Sequence, residues 1–243
     1  AILFSSEHRP FAEVDWDTLE QQTARVAHHL RASGVRPGDR VAACLPNSPE
    51  ATVALLATIS IGAVWSSASP DFGSSSVAER MVQIEPKVLF AVRGYSYGGK
   101  WFDRSEAVAR LRKELPSLRE IIVFDNYPPE GSLPHDPLER GEYTNWNDLF
   151  QTTDPLPPLA FEQVPFAHPL WVLFSSGTTG MPKAITHGHG GMLLEHLKYL
   201  TFHNDVHPGE RFFWFTTTGW MMWNFTHAAL LAGATIVLYD GSP

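Results

Sequence analysis

Apolar positions along the chain follow two different spacings, which predicts that helices and strands alternate. Between Trp16 and Leu30 the apolar residues recur at helical spacing, with polar residues between them. Asp15 or Asp17 can cap the start of this helix, and Gly34 can end it. Short apolar runs of five or six residues occur further along the chain, and such runs are typical of buried strands.

The same reasoning divides most of the remaining chain into elements. In chain order they are a strand at 40–45, a helix at 49–62, a strand at 88–92, a helix at 103–115, strands at 121–124 and 170–175, a helix at 190–200, a strand at 212–215, a helix at 222–232 and a strand at 234–239. Strands that alternate with helices pair in parallel, because each helix carries the chain back across a face of the sheet. We therefore predict an α/β fold of mostly parallel strands alternating with helices.

Residues 127–169 interrupt this pattern. They hold nine of the nineteen prolines, and proline is excluded from regular helices and central strands. This segment is either a linker between two subregions, 1–126 and 170–243, or a long surface excursion. A short helix predicted at 145–150 favours the excursion.

Composition and charge exclude several classes of protein. With 44% hydrophobic residues the chain is not disordered, and its net charge of −8 argues against a nucleic-acid partner. The longest apolar run, 51–64, is too short for a bilayer, so we expect no membrane partner. The single cysteine, Cys44, allows no internal disulfide, which favours a cytoplasmic protein. The eleven histidines form no pattern typical of a metal site.

The strand predicted at 170–175 leads into a segment whose residues suit phosphate binding. The segment ends in Pro182 and Lys183, and its hydroxyl-bearing residues and glycines are Ser175, Ser176, Gly177, Thr178, Thr179 and Gly180. The glycines allow successive N–H groups to turn toward one point, and such a concavity binds anions. The hydroxyls can donate to phosphate oxygens, and Lys183 adds a positive charge. We therefore interpret residues 175–183 as a polyphosphate cradle and call them the phosphate loop.

Residues 175–183 share features with two other kinds of loop. A Walker A loop has four residues between its glycines and a Lys-Ser/Thr pair after the second, whereas here only Thr178 and Thr179 lie between the glycines and Ala184 follows Lys183. An inert surface turn has a similar composition. The strand before the loop and the Pro-Lys pair at its end favour phosphate binding over the inert turn.

The phosphate loop reads SSGTTGMPK and resembles that of the adenylate-forming, or AMP-binding, superfamily of acyl-CoA synthetases, luciferases and adenylation domains. Residues 38–49 and 61–67 are similar to two further motifs of this superfamily. Residues 218–225 lie where short-chain acyl-CoA synthetases carry their acyl-pocket motif. Within that branch, three segments are most similar to the synthetases that act on acetoacetate: 66–73, 98–103 and 219–224.

The resemblance implies a reaction and a set of substrates. A carboxylate, here that of acetoacetate, attacks the α-phosphate of ATP, pyrophosphate leaves, and the thiol of coenzyme A then displaces AMP to give acetoacetyl-CoA. Mg²⁺ and fixed donors stabilise the charge on the leaving group. The donors implied by the resemblance are Ser175, Thr178, Thr179 and Lys183, of which the last three are the candidate catalytic residues.

The resemblance also suggests residues for the acid and for coenzyme A. Trp220 corresponds to an aromatic gate beside the carboxylate, Met221 and Met222 replace residues of the acetate-specific pattern, and the amide of Asn224 could reach a 3-keto oxygen. The alternative is that Trp220, Met222, Trp223 and Phe225 are ordinary core residues, and we prefer that interpretation for Phe225. Lys100 falls near a position that contacts a phosphate of coenzyme A, and the alternative for it is a solvated surface lysine.

The extent of the resemblance predicts that residues 1–243 are part of an N-terminal adenylation domain. The C-terminal domain with its catalytic lysine would lie outside the chain, as would the residues for ribose and Mg²⁺, so we expect the chain alone to be inactive. A synthetase for another short-chain acid, such as acetate or propionate, and a nucleotide-binding module without catalysis remain open. No feature of the sequence indicates the oligomeric state.

Overall fold

The computed structural model describes residues 1–126, 141–151, 155, 158–175 and 180–243. The strands are β1 (Ile2–Ser6), β2 (Ala12–Val14), β3 (Arg40–Cys44), β4 (Val64–Ala68), β5 (Val88–Val92), β6 (Gly94–Tyr97), β7 (Lys100–Asp103), β8 (Glu120–Phe124), β9 (Thr144–Asn145), β10 (Pro169–Ser175), β11 (Lys183–Gly188), β12 (Arg211–Phe213) and β13 (Thr235–Asp240). The α-helices are α1 (Trp16–Ala32), α2 (Pro49–Ser60), α3 (Ser74–Met81), α4 (Ser105–Glu114), α5 (His189–Phe202) and α6 (Met221–Ala228). Two short 3-10 helices cover Trp146–Phe150 and Ala229–Ala232.

The described strands form two larger sheets and one hairpin. The first sheet has seven strands in the order β11-β10-β4-β3-β5-β8-β9, all parallel except β11, which runs antiparallel to β10. The second has four strands in the order β12-β13-β1-β2, parallel except for β2. Strands β6 and β7 form the hairpin. The predicted α/β fold with mostly parallel strands is confirmed.

Side chains of the seven-stranded sheet are buried on both faces. Along β3, Val41 and Ala43 pack into one cluster of buried residues, which α1 and α2 also line, whereas Ala42 and Cys44 pack into a second cluster with α3 and α4. This alternation follows from the two-residue period of a strand. Because helices cover both faces, ligands reach this sheet mainly at the ends of its strands. No helix among the described residues is long and apolar enough to span a bilayer.

The ends of the first two helices follow the chemistry predicted for them. Asp15 caps α1 by accepting a hydrogen bond from the backbone N–H of Thr18 at 2.7 Å, and Gly34 beyond the helix has φ +83°. Ser48 caps α2, whose first residue is Pro49. The structure corrects one detail of α1, because Trp16, counted above among its apolar positions, is half exposed.

The strands at the beginning of the chain were not predicted. Strand β1 pairs in parallel with β13, with Ile2 opposite Ile236, so its partner lies at the other end of the chain. Strand β11 and the β6–β7 hairpin were also missed. The helix predicted at 222–232 was wrong in extent: α6 ends at Ala228, a 3-10 turn follows, and Gly233 with φ +74° ends it.

Candidate active site

The phosphate loop joins β10 to β11, the last two strands on one side of the seven-stranded sheet, and follows the carboxyl end of β10. Ser175 is the last residue of β10, Lys183 is the first of β11, and the two lie directly opposite each other in the antiparallel pair. Ser176, Gly177, Thr178 and Thr179 lie outside the described residues. The structure therefore brings Ser175 and Lys183 together at the base of the predicted loop.

Gly180 is exposed, and packing does not require a glycine there. A Cβ added at this position would meet nothing within 4 Å among the described residues. A side chain at Gly180 would therefore extend into space that no described residue fills.

The carboxyl ends of β3, β4 and β10 lie at the same edge of the sheet, because these three strands are parallel and adjacent. In open α/β sheets, ligands bind outside this edge. Strand β4 lies between the other two, so the phosphate loop after β10 and the turn after β3 are two strand spacings apart, about 10 Å. One extended ligand can reach both.

Residues 216–220 lie against this edge and lead into α6. The hydroxyl of Thr218 donates to the carbonyl of Leu45 at 2.6 Å, and the hydroxyl of Ser67 donates to the carbonyl of Thr218 at 2.8 Å. Gly219 is required by close packing, because a Cβ there would lie 2.7 Å from Cζ of Phe72. These contacts fix the start of α6 against the ends of β3 and β4.

Asn47, just after β3, links the two larger sheets at this edge. Its Nδ2 donates to the carbonyl of Tyr239 at 3.2 Å and to that of Thr216 at 3.4 Å. Its Oδ1 accepts from the indole N–H of Trp223 at 3.0 Å. One buried side chain thus holds α6, the segment before it and the end of β13 in register.

A pocket of about 330 Å³ opens beside Asn47. It is lined by Pro46, Asn47, Ser69, Pro70, Asp71, Tyr95, Ser96, Tyr97, Phe102, Phe215, Thr216, Thr217, Tyr239, Asp240 and Gly241. The hydroxyls of Ser96 and Thr217 are buried and have no hydrogen-bond partner among the described residues. A pocket with aromatic walls and unpartnered polar atoms is typical of a binding site for an organic ligand.

Lys100 lies in the hairpin that forms one wall of this pocket. Tyr97 and Phe102 of the same hairpin line the pocket, and Lys100 itself is exposed. The carboxylate of Glu7 holds the hairpin in place by accepting from the backbone N–H groups of Gly98 at 2.8 Å and Gly99 at 2.7 Å. Glu7 also accepts from Ser242, and these backbone hydrogen bonds lower its pKa.

The four residues suggested for the acid occupy different environments. Trp220 is 66% exposed and Met221 is 52% exposed, whereas Met222 is partly buried against the core. Asn224 is 1% exposed, and neither atom of its amide has a hydrogen-bond partner among the described residues. None of the four lines the 330 Å³ pocket. Glu7 and Asp240 lie outside the motifs quoted above, and Asn47 lies within the motif at 38–49 but was not predicted to be a site residue.

The chain belongs to the family of AMP-binding enzymes, which matches residues 6–243. Among its relatives it is 45% identical over 244 residues to an acetoacetyl-coenzyme A synthetase of Rhizobium meliloti (strain 1021), covering 100% of this chain and 36% of the relative. It is 43% identical to an acetoacetyl-CoA synthetase of Rattus norvegicus, covering 96% of this chain and 34% of the relative. Among solved structures, the acetoacetyl-CoA synthetase from Streptomyces lividans matches with a TM-score of 0.91 and 53% identity, covering 100% of this chain and 36% of that one. The chain thus spans about a third of the length of these relatives.

Gly219 provides a test of the close packing at the sheet edge. We expect Gly219→Ala to lower the free energy of unfolding by about 1–3 kcal/mol, because its methyl group would overlap the Phe72 ring. Gly191→Ala is the matched control, since a Cβ at this helical position meets nothing within 4 Å among the described residues. Urea denaturation of both variants measures the difference. An unchanged free energy of unfolding in Gly219→Ala would contradict the packing argument, whereas Gly191→Ala should match or exceed the stability of the native protein because alanine favours a helix.

Asp240 provides a test of the electrostatics of the pocket. Burial raises the pKa of this carboxyl from 3.8 to about 7. The folded state therefore binds a proton more tightly than the unfolded state, so the contribution of Asp240 to stability is present below about pH 4 and is lost as the pH rises through about 7. We expect Asp240→Asn to be more stable than the native protein at pH 8, with the difference shrinking toward pH 4.

The measurement is the free energy of unfolding in urea between pH 4 and pH 8. Asp205→Asn is the control for the change in net charge, because Asp205 lies on an exposed loop. A constant difference between the Asp240→Asn variant and the native protein across this range would show that Asp240 does not titrate as described.

Proposed function

We propose that this chain is the ATP-binding part of an acid–thiol ligase that converts acetoacetate, ATP and coenzyme A into acetoacetyl-CoA, AMP and pyrophosphate. The observation that carries the proposal is the 53% identity and TM-score of 0.91 to an acetoacetyl-CoA synthetase across the whole chain. The chain spans about a third of that relative, so the activity is proposed for the complete protein. On this proposal residues 1–243 are part of its N-terminal adenylation domain. We also propose a cytoplasmic location, which is supported by the single cysteine, Cys44, a buried free thiol that can form no internal disulfide.

In the first step, a carboxylate oxygen of the acid bonds to the α-phosphorus of ATP while the bond to pyrophosphate breaks. We assign the phosphate loop to this step. Ser175, Thr178, Thr179 and Lys183 donate to the phosphate oxygens, and the backbone of Ser176, Gly177 and Gly180 lines the same cradle. Donors held in place before the reaction stabilise charge as it develops on the leaving group. The support is the position of Ser175 and Lys183, opposite each other on β10 and β11.

Mg²⁺ belongs to this proposal as part of the substrate, since it accompanies the phosphates of ATP. Within the described ranges, no three His, Cys, Asp or Glu side chains lie together in a group that could hold a metal ion. The hydroxyls at the base of the phosphate loop, such as that of Ser175, are oxygen donors of the kind that Mg²⁺ accepts. Ser175 would help to hold the ion beside the phosphates of ATP, and the ion would supply positive charge that stabilises the leaving pyrophosphate.

We assign recognition of acetoacetate to the start of α6. The amide of Asn224 is buried and has no hydrogen-bond partner among the described residues. Leaving such a group unpaired lowers the stability of the fold by about 1–3 kcal/mol. The 3-keto oxygen of acetoacetate would accept from Nδ2 of Asn224 and remove this cost. Trp220, Met221 and Met222 precede it and would border the acyl group, where adaptable methionines fill an irregular space.

In the second step, the thiolate of coenzyme A attacks the acyl carbon of the adenylate, and AMP leaves as the thioester forms. We assign the 330 Å³ pocket beside Asn47 to part of the coenzyme A molecule, and Lys100 to one of its phosphates. The hairpin that carries Lys100 forms a wall of this pocket, and the unpartnered hydroxyls of Ser96 and Thr217 can bond amide groups of the ligand.

The proposal predicts discrimination between acetoacetate and butyrate, which has the same length but no keto group. We expect the complete protein to use butyrate roughly tenfold to a hundredfold less efficiently in kcat/KM, because the Asn224 amide then stays unpaired. Asn224→Leu should remove most of this preference while leaving the KM for ATP unchanged. Thr226→Val is the matched control, since its buried hydroxyl donates to the Met222 carbonyl within α6.

The measurement is thioester formation and pyrophosphate release with a panel of acids. Equal use of acetoacetate and butyrate would contradict the acetoacetate assignment and leave a synthetase for another short-chain acid. ATP binding without pyrophosphate release for any acid would instead identify a nucleotide-binding module.

A further inference from the structure

The indole of Trp223 connects α6 to the wall of the 330 Å³ pocket through one buried hydrogen bond. Its N–H donates to Oδ1 of Asn47 at 3.0 Å, and both residues are buried. The side-chain nitrogen of Asn47 donates hydrogen bonds to the carbonyls of both Thr216 and Tyr239. Thr216 and Tyr239 line the pocket, whereas Trp223 does not.

This arrangement determines which way the Asn47 amide points. An amide can hold two carbonyls only with its nitrogen toward them, and its oxygen must then face a donor. Among the described residues, the Trp223 indole is the hydrogen-bond donor to Oδ1. Without that N–H, the oxygen would be buried and unpaired, and the orientation that holds the two carbonyls would lose its support.

Trp223 is itself held in a fixed position. Its carbonyl accepts from Nδ1 of His227 at 2.7 Å, and Nε2 of His227 accepts from the hydroxyl of Thr52 at 2.8 Å. Burial lowers the pKa of His227 to about 4, so the ring is neutral and keeps this tautomer. The Trp223 ring also stacks on Trp65, with centroids 6.1 Å apart. The position of the indole N–H is thus well defined.

We propose that Trp223 is a positioning residue for the binding of coenzyme A. Trp223 orients the amide of Asn47, and Asn47 in turn positions the pocket wall formed by Thr216 and Tyr239. This inference rests on the proposed function, which places part of coenzyme A in that pocket. Trp223 touches no substrate in this scheme. The start of α6 is also held by the hydroxyl of Thr218, so we expect loss of the Trp223 hydrogen bond to affect mainly the step that uses the thiol. Asn224, the next residue, acts on the acid.

The test compares Trp223→Phe with Trp65→Phe in the complete protein. Both rings are fully buried and stack on each other, and both substitutions remove an indole N–H. The N–H of Trp65 has no partner among the described residues, so only Trp223→Phe breaks a hydrogen bond. We expect Trp223→Phe to raise the KM for coenzyme A by about threefold to tenfold, the effect of one lost buried hydrogen bond.

The acetoacetate-dependent exchange of pyrophosphate into ATP provides the second readout, because it requires no coenzyme A. We expect its rate and KM values to stay within about twofold in both variants. Three results would overturn the inference: an unchanged KM for coenzyme A in Trp223→Phe, the same increase in Trp65→Phe, or an equal change in the exchange reaction. A purely structural role lowers the active fraction in both reactions and leaves the KM values alone.

A third measurement separates this inference from the proposed function. If the native protein makes no acetoacetyl-CoA, the proposed function fails, and the pocket wall is then examined directly by amide hydrogen exchange. Faster exchange at 216–217 and 239–240 in Trp223→Phe but not in Trp65→Phe supports the positioning role. The same exchange in both variants refutes it.

Discussion

The side chain of Asn47 holds together the place where the two larger sheets of this protein meet. Each sheet is stabilised by its own strand pairing, but strand pairing does not fix one sheet against the other. One cluster of buried side chains includes residues of both sheets, such as Phe4 of β1 and Val41 of β3. At the edge that lines the pocket, Asn47 adds three hydrogen bonds, to Thr216, Tyr239 and Trp223. Each bond adds only about 0.5–1.5 kcal/mol, whereas an unpaired buried amide costs more. The pocket, the segment before α6 and the end of β13 all depend on this contact.

The order of the strands explains why the proposed steps of the reaction occur close together. The phosphate loop follows β10, the Ser69–Phe72 turn follows β4, and Asn47 follows β3, in neighbouring positions at one edge. A nucleotide on the phosphate loop and a thiol in the pocket would approach the end of β4 from opposite sides. The start of α6, which carries the residues assigned to the acid, is fixed to the same edge by Thr218.

Local features of the sequence were sufficient to predict much of this arrangement. The phosphate loop could be proposed because its candidate residues are consecutive, and the two ends of α1 could be predicted because Asp15 and Gly34 each act within one turn of the helix. Strand β1 could not, since its partner β13 lies more than 230 positions away. Asn47 and Trp223 likewise meet across 176 positions, and no local pattern reports such a contact.

Amide hydrogen exchange with and without Mg²⁺–ATP tests most directly whether the nucleotide binds at the carboxyl edge of the seven-stranded sheet. We expect nucleotide to slow exchange in the segments at that edge, residues 174–184 and 69–72. We expect no change at the opposite edge, where His168 donates to the carbonyl of Gly62. Protection at the opposite edge, or none along 174–184 at saturating nucleotide, would contradict nucleotide binding at the carboxyl edge.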